Sequence, residues 1–133
     1  MLNLWPDDIA PSVPNPNLPV IIVREQASLL GKKTNNLIEA EVMQVVDPEK
    51  FIYNFLIVAP VLNSYKYRLF TILHHISPYP VVFDIDKEVC EELDLGKSEY
   101  MAQSEIEFIE ILRAVLHTKK TQEVIGTLLS MSK

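Results

Sequence analysis

Two adjacent histidines, His74 and His75, and a run of carboxylates at Asp84, Asp86 and Glu88 are the residues best equipped for chemistry in this chain. Imidazole and carboxylate serve as metal ligands and as acid/base groups. On a strand, neighbours point to opposite faces, so His74 and His75 cannot both ligate one metal while the strand stays regular. One of them can join Asp84 or Asp86 from the next strand, as a metal-ligand pair or an acid/base pair, and with Tyr79 nearby can line a small-ligand pocket. The three carboxylates have the one-three-five spacing of a calcium loop. That loop needs glycine at its sixth position and a bidentate glutamate at its twelfth, where this chain has Val89 and Leu95. Asp86 reads better as the N-cap of a short following helix. No ligand set is complete, so neither a metal nor a cofactor is expected.

Other motifs fall short in the same way. Gly31-Lys32-Lys33-Thr34 looks like the end of a phosphate-binding loop, but Gln26 stands where the first glycine must be. The chain has only three glycines, too few for a dinucleotide fingerprint. Cys90 lies among Glu88, Glu91 and Glu92, whose charge disfavours a thiolate. No serine sits in a nucleophile elbow. No catalytic constellation is assembled, which argues against an enzyme.

Tyr65-Lys66-Tyr67-Arg68-Leu69-Phe70 interleaves aromatic and basic residues. Aromatics on a sheet can stack the bases of single-stranded RNA. The glycines of that signature are missing, and an acidic protein repels phosphate backbones, so nucleic acid is not expected. A protein-binding surface using Trp5, Tyr65, Tyr67 and Arg68 is the better functional reading. No motif carries an activity over from a named family.

These residues must be positioned by an α+β framework. Residues 18–34 read as a helix with Asn17 as N-cap, Pro19 in its first turn and Asn35-Asn36 at its stop. Strands are predicted over 37–46, 51–59, 65–75 and 79–85, with a bulge near Gln44-Val45 and turns at Asp47-Pro48-Glu49-Lys50 and Asn63-Ser64. Residues 51–59 are apolar on both faces and suit a central strand. Residues 87–94 make one or two helical turns ended by Gly96, and a short strand near 99–102 follows. Ser104 and Glu107 form a capping box, and Thr118 caps a last helix. The expected architecture is an antiparallel sheet of four or five strands with one N-terminal and two C-terminal helices, in two layers. Residues 1–17 form a proline-rich arm that Trp5 and Ile9 can anchor, and residues 18–133 form one α+β domain.

The 133 residues suffice for a core without disulfides, and the single cysteine permits none. The formal charge is −6. It is concentrated between Asp84 and Glu110, which hold ten acidic and two basic residues. The start lacks the basic region and apolar run of a signal peptide, and no apolar run is long enough to cross a membrane. A cytoplasmic location without membrane contact is expected. The favoured function is a non-enzymatic protein-interaction module of adaptor, regulatory or immunity-like kind. The alternative is a small-ligand binder or enzyme at His74, His75, Asp84 and Tyr79. If all helices pack on one sheet face, either Tyr53, Phe55 and Ile57 or Ile52, Leu56 and Val58 stay open. A second copy of the chain, a protein partner or the arm carrying Trp5 would then cover them.

Overall fold

Proline opens the first helix, α1 (Pro19–Lys33), where its missing amide hydrogen costs nothing. The computed structural model describes residues 1–7, 17–94, 96 and 99–133. The N-cap of α1 is Leu18, which offers no side-chain acceptor, and not Asn17. The fixed φ of Pro19 sets the helical start without a capping oxygen. Asn17 instead gives its carbonyl to the Tyr79 hydroxyl at 3.2 Å. Asn35 and Asn36 adopt left-handed φ values of 52° and 64° and end the helix as expected. Thr34 ties that end to the sheet: its hydroxyl donates to the Ile38 carbonyl at 2.7 Å and accepts the Ile38 amide at 3.1 Å. Gly31-Lys32-Lys33-Thr34 is therefore a helix end and its exit.

Five strands follow as a meander: β1 (Glu39–Val45), β2 (Phe51–Ala59), β3 (Tyr65–His74), β4 (Val81–Ile85) and β5 (Glu99–Ala102). They lie in chain order, each antiparallel to its neighbour. The first turn is fastened by Asp47, whose Oδ1 accepts the Glu49 and Lys50 amides at 2.9 and 3.0 Å. Asn63 and Ser64 make the second turn with φ values of 57° and 55°.

The bulge is not at Gln44-Val45, where β1 and β2 pair without interruption. It lies between β2 and β3: Phe55 opposes Phe70, Leu56 opposes Arg68, and Leu69 is the extra residue. Leu69 and Phe70 are adjacent and both fully buried. The bulge also changes the parity of β3, which brings Arg68 and Thr71 onto one face.

Three helices, not two, complete the chain: α2 (Lys87–Leu93), α3 (Glu105–Leu116) and α4 (Lys119–Met131). Asp86 caps α2 as predicted, accepting the Val89 amide at 3.3 Å. The helix stops at Asp94 (φ 57°), two residues before Gly96. Ser104 caps α3 by accepting the Glu107 amide at 3.3 Å. Glu107 reaches back to the Gln103 amide at 3.1 Å, one residue beyond the usual capping-box partner. Ser104→Ala should cost about 0.5–1 kcal/mol, the low end for an exposed cap. A urea melt that shows no loss would count against this role. Glu92 of α2 accepts the Lys119 and Lys120 amides at 2.6 and 3.0 Å, so a carboxylate from another helix sits on the positive end of α4.

All four helices contribute to one hydrophobic core. Val23 and Ala27 of α1, Val89 and Cys90 of α2, Phe108, Leu112 and Val115 of α3, and Val124 and Leu128 of α4 share it with Tyr53, Phe55, Ile57, Phe70, Ile72, Phe83 and Ile85. Four aromatic rings run through it. Phe55 and Phe70 stack at 4.8 Å, Phe70 and Phe83 meet at 5.7 Å, and Phe83 stacks on Phe108 at 5.1 Å. The molecule is thus a two-layer α+β sandwich with helices on the Phe55 face of the sheet.

Candidate functional site

His74, His75, Asp84 and Tyr79 are not brought together. His74 is buried, 7% exposed, on the helix-covered face, where its ring stacks on Phe51 at 5.4 Å. His75 is exposed beyond the end of β3. Asp84 opposes Thr71 on the other face of the sheet. Tyr79 lies before β4 with its ring edge against Phe108 at 6.2 Å. Asp86 accepts from Tyr67 and Glu88 forms a salt bridge at 2.7 Å with Lys120, whose ammonium lies 6.0 Å over the Tyr67 ring. Among the described residues no group of three or more His, Cys, Asp or Glu is placed to hold a metal ion. Cys90 is buried, and its thiol is pushed up by desolvation first and then by the charges of Asp84 and Asp86.

The residues read as an interaction surface are divided as well. Trp5 is 71% exposed, and Ile9, its expected companion anchor, lies outside the described residues. Tyr65 and Tyr67 face the helical side and border α4, while Lys66 and Arg68 point to the opposite side. The aromatic and basic residues therefore do not share one platform. The Tyr67 hydroxyl donates to Asp86 at 2.9 Å. Burial first, then this bond and the Asp86 charge, push its pKa from 10.0 up to about 12. A raised folded-state pKa gives stability that is complete below pH 10 and is lost as pH climbs toward 12. Wild type should accordingly lose stability over that range more steeply than Tyr67→Phe, and the variant should lack one high-pH phenolate step in an absorbance titration. Identical pH profiles would refute the assignment.

What the fold does assemble is the sheet face that bears no helix. Along β2 this face carries Ile52, Asn54, Leu56 and Val58, the second of the two sets marked in the sequence. Leu56 and Val58 stand outside the helix-side core. Register lines up Val45, Ile52, Leu73, Val82 and Met101 as one apolar row across all five strands. Val45 is 40% and Met101 48% exposed, and Met43 from the next row is 43% exposed. Ile52, Leu73 and Val82, between the two exposed ends, are half-buried.

Polar groups frame that row in fixed positions. Arg68 Nη1 donates to the Thr71 hydroxyl at 2.8 Å and to the Asp84 carbonyl at 3.0 Å, and Thr71 donates onward to Asn54 Oδ1. The same Nη1 lies 4.0 Å from Asp84 Oδ2, so the guanidinium is paired within its own sheet. Lys66 on β3 and Glu41 on β1 meet at 3.4 Å, which requires them to arch over β2. Their register partners on β2, Leu56 beside Glu41 and Val58 beside Lys66, are 9% and 6% exposed. The face thus has an apolar end and a charged end.

On the helical side a groove of about 470 Å³ separates α1 from α3 and α4, floored by Phe55 and Ile57 and edged by Leu30, Ile125 and His117. His117 Nδ1 donates to the Arg113 carbonyl at 2.9 Å at the end of α3. No helix among the described residues is long and apolar enough to cross a membrane. No family model, curated protein or solved structure matches this chain.

Proposed function

We propose that this protein is a non-enzymatic interaction module, of adaptor, regulatory or immunity-like kind, that acts in the cytoplasm through its open sheet face. The observation that carries the reading is the apolar row Val45, Ile52, Leu73, Val82 and Met101 lying opposite the face on which the helices pack. A rigid sheet with a fixed polar frame suits recognition of a preformed protein surface, because few side chains need ordering on contact. The acidic balance disfavours nucleic acid as the partner.

Site-specific photo-crosslinking in cells tests this. A photoreactive residue at Leu73 or Met101 should give protein adducts that Ile52→Lys abolishes. The same probe at Glu110, on the helical layer, should give none. Adducts from Glu110 alone, or none from the open face, would overturn the reading.

A further inference from the structure

We infer that the β1–β3 part of the open face is covered by a second copy of this chain, related by a two-fold axis that runs along β2. The inference rests on reading this face as an interaction surface, and it commits to the partner. Charge placement decides the axis. Glu41 lies on β1, Lys66 and Arg68 lie on β3, and Leu56 of β2 lies between Glu41 and Arg68 in register. An axis along β1 would set Glu41 on Glu41. An axis along β3 would set Lys66 on Lys66 and Arg68 on Arg68. Only an axis along β2 places the Glu41 of one copy opposite the Lys66 and Arg68 of the other, twice by symmetry. An in-plane axis perpendicular to the strands keeps each strand over its own copy: at the Leu56 row it sets Glu41 on Glu41 and Arg68 on Arg68, and midway between the two ends it lays the apolar end of one face on the charged end of the other.

The β2 axis also matches apolar groups. Ile52 meets Ile52, Leu56 meets Leu56, and Val45 of β1 meets Leu73 of β3. Lys66 and Glu41 keep 41% and 44% of their side-chain surface exposed, so each has room for a second opposite charge beyond its own-chain contact. The four groups would then form an alternating network in place of two isolated pairs. Overlap is confined to three strands, which at about 4.8 Å spacing and about 3.4 Å per residue gives a footprint on the order of 400 Å² per copy. That is about 800 Å² in total, below a standard interface and in the range of weak, transient ones, so the dimer should dissociate at roughly micromolar concentration or above and weaken with salt.

Sedimentation equilibrium on the full chain tests this with a charge-swap pair. Wild type should show reversible dimerisation. Glu41→Lys alone should weaken it about tenfold or more, because it puts cation on cation, and Lys66→Glu/Arg68→Glu alone should do the same with acid on acid. Mixed in equal amounts, the two variants should form a heterodimer. Should a swap variant misfold, Ile52→Arg, which sets two charges together on the axis, serves as the disrupting change. Wild type remaining monomeric, dimers indifferent to all these changes, or a mixture of folded variants that fails to associate would each overturn the inference. A monomeric wild type that still crosslinks other proteins from Leu73 and Met101 would remove the self-partner alone. Loss of both signals would remove the interaction reading with it.

Discussion

Replacing Phe83 with alanine should destabilise the protein by about 3–5 kcal/mol, the range for deleting a fully buried aromatic ring. Phe83 is completely buried and stands between Phe70 of β3 and Phe108 of α3. Through Phe70 it reaches Phe55 of β2. Its ring is therefore a direct bridge between the sheet and the C-terminal helices. Alanine would remove its dispersion contacts on both sides and leave a cavity that a close-packed sheet cannot collapse to fill. A domain of this size has about 5–15 kcal/mol to lose, so the effect would consume a large part of it. The urea midpoint should fall while its slope stays constant. Phe83→Leu, which keeps most of the volume, should cost less than half as much. A loss below about 1 kcal/mol for the alanine variant would show that the ring ladder does not hold the layers together.

Local signals in the chain carried further than long-range ones. The caps at Asp86, Ser104 and Thr118, the stop at Asn35-Asn36 and the turns at Asp47 and Asn63 involve residues a few positions apart, and each is where the pattern places it. The doubly apolar pattern of β2 marked it as a central strand and separated Ile52, Leu56 and Val58 from Tyr53, Phe55 and Ile57. The row from Val45 to Met101 could not be read the same way. It exists only through register, which depends on which residues oppose each other across four pairings. The bulge at Leu69 shows why: one extra residue in β3 moves Thr71 and Leu73 to the face of Arg68. Strict alternation would have put them on the other side. His74 illustrates the same limit. Its type suggests chemistry, but its neighbours place it in a stack on Phe51. Glu92 is the reverse case, since its partners Lys119 and Lys120 lie 27 and 28 residues away and only packing of α2 on α4 unites them.

Thr118→Val should cost about 2–3 kcal/mol, while Thr121→Val, three residues on, should cost less than about 1 kcal/mol. Both threonines are buried at the junction of α3 and α4, 2% and 1% exposed. Each hydroxyl has one proton to give. The arrangement that uses each proton once has Thr118 donating to Thr121 Oγ1 at 2.8 Å and Thr121 donating to the Val115 carbonyl at 2.8 Å. Thr118 Oγ1 also accepts the Thr121 amide at 3.2 Å, the capping bond of α4. Valine at 118 keeps the shape but removes that acceptor. The Thr121 amide is then buried with no oxygen to receive it, and the penalty for an unmet donor adds to the lost cap. Valine at 121 has a different consequence. The Thr118 hydroxyl turns to the Val115 carbonyl, already 3.0 Å away, and still accepts the Thr121 amide. Every buried group in the cluster then keeps a partner. Thr118→Ser, which restores the acceptor and lacks only a methyl group, should recover most of the loss. Equal costs for the two valine variants in parallel urea melts would show that the hydroxyl relay does not govern this junction.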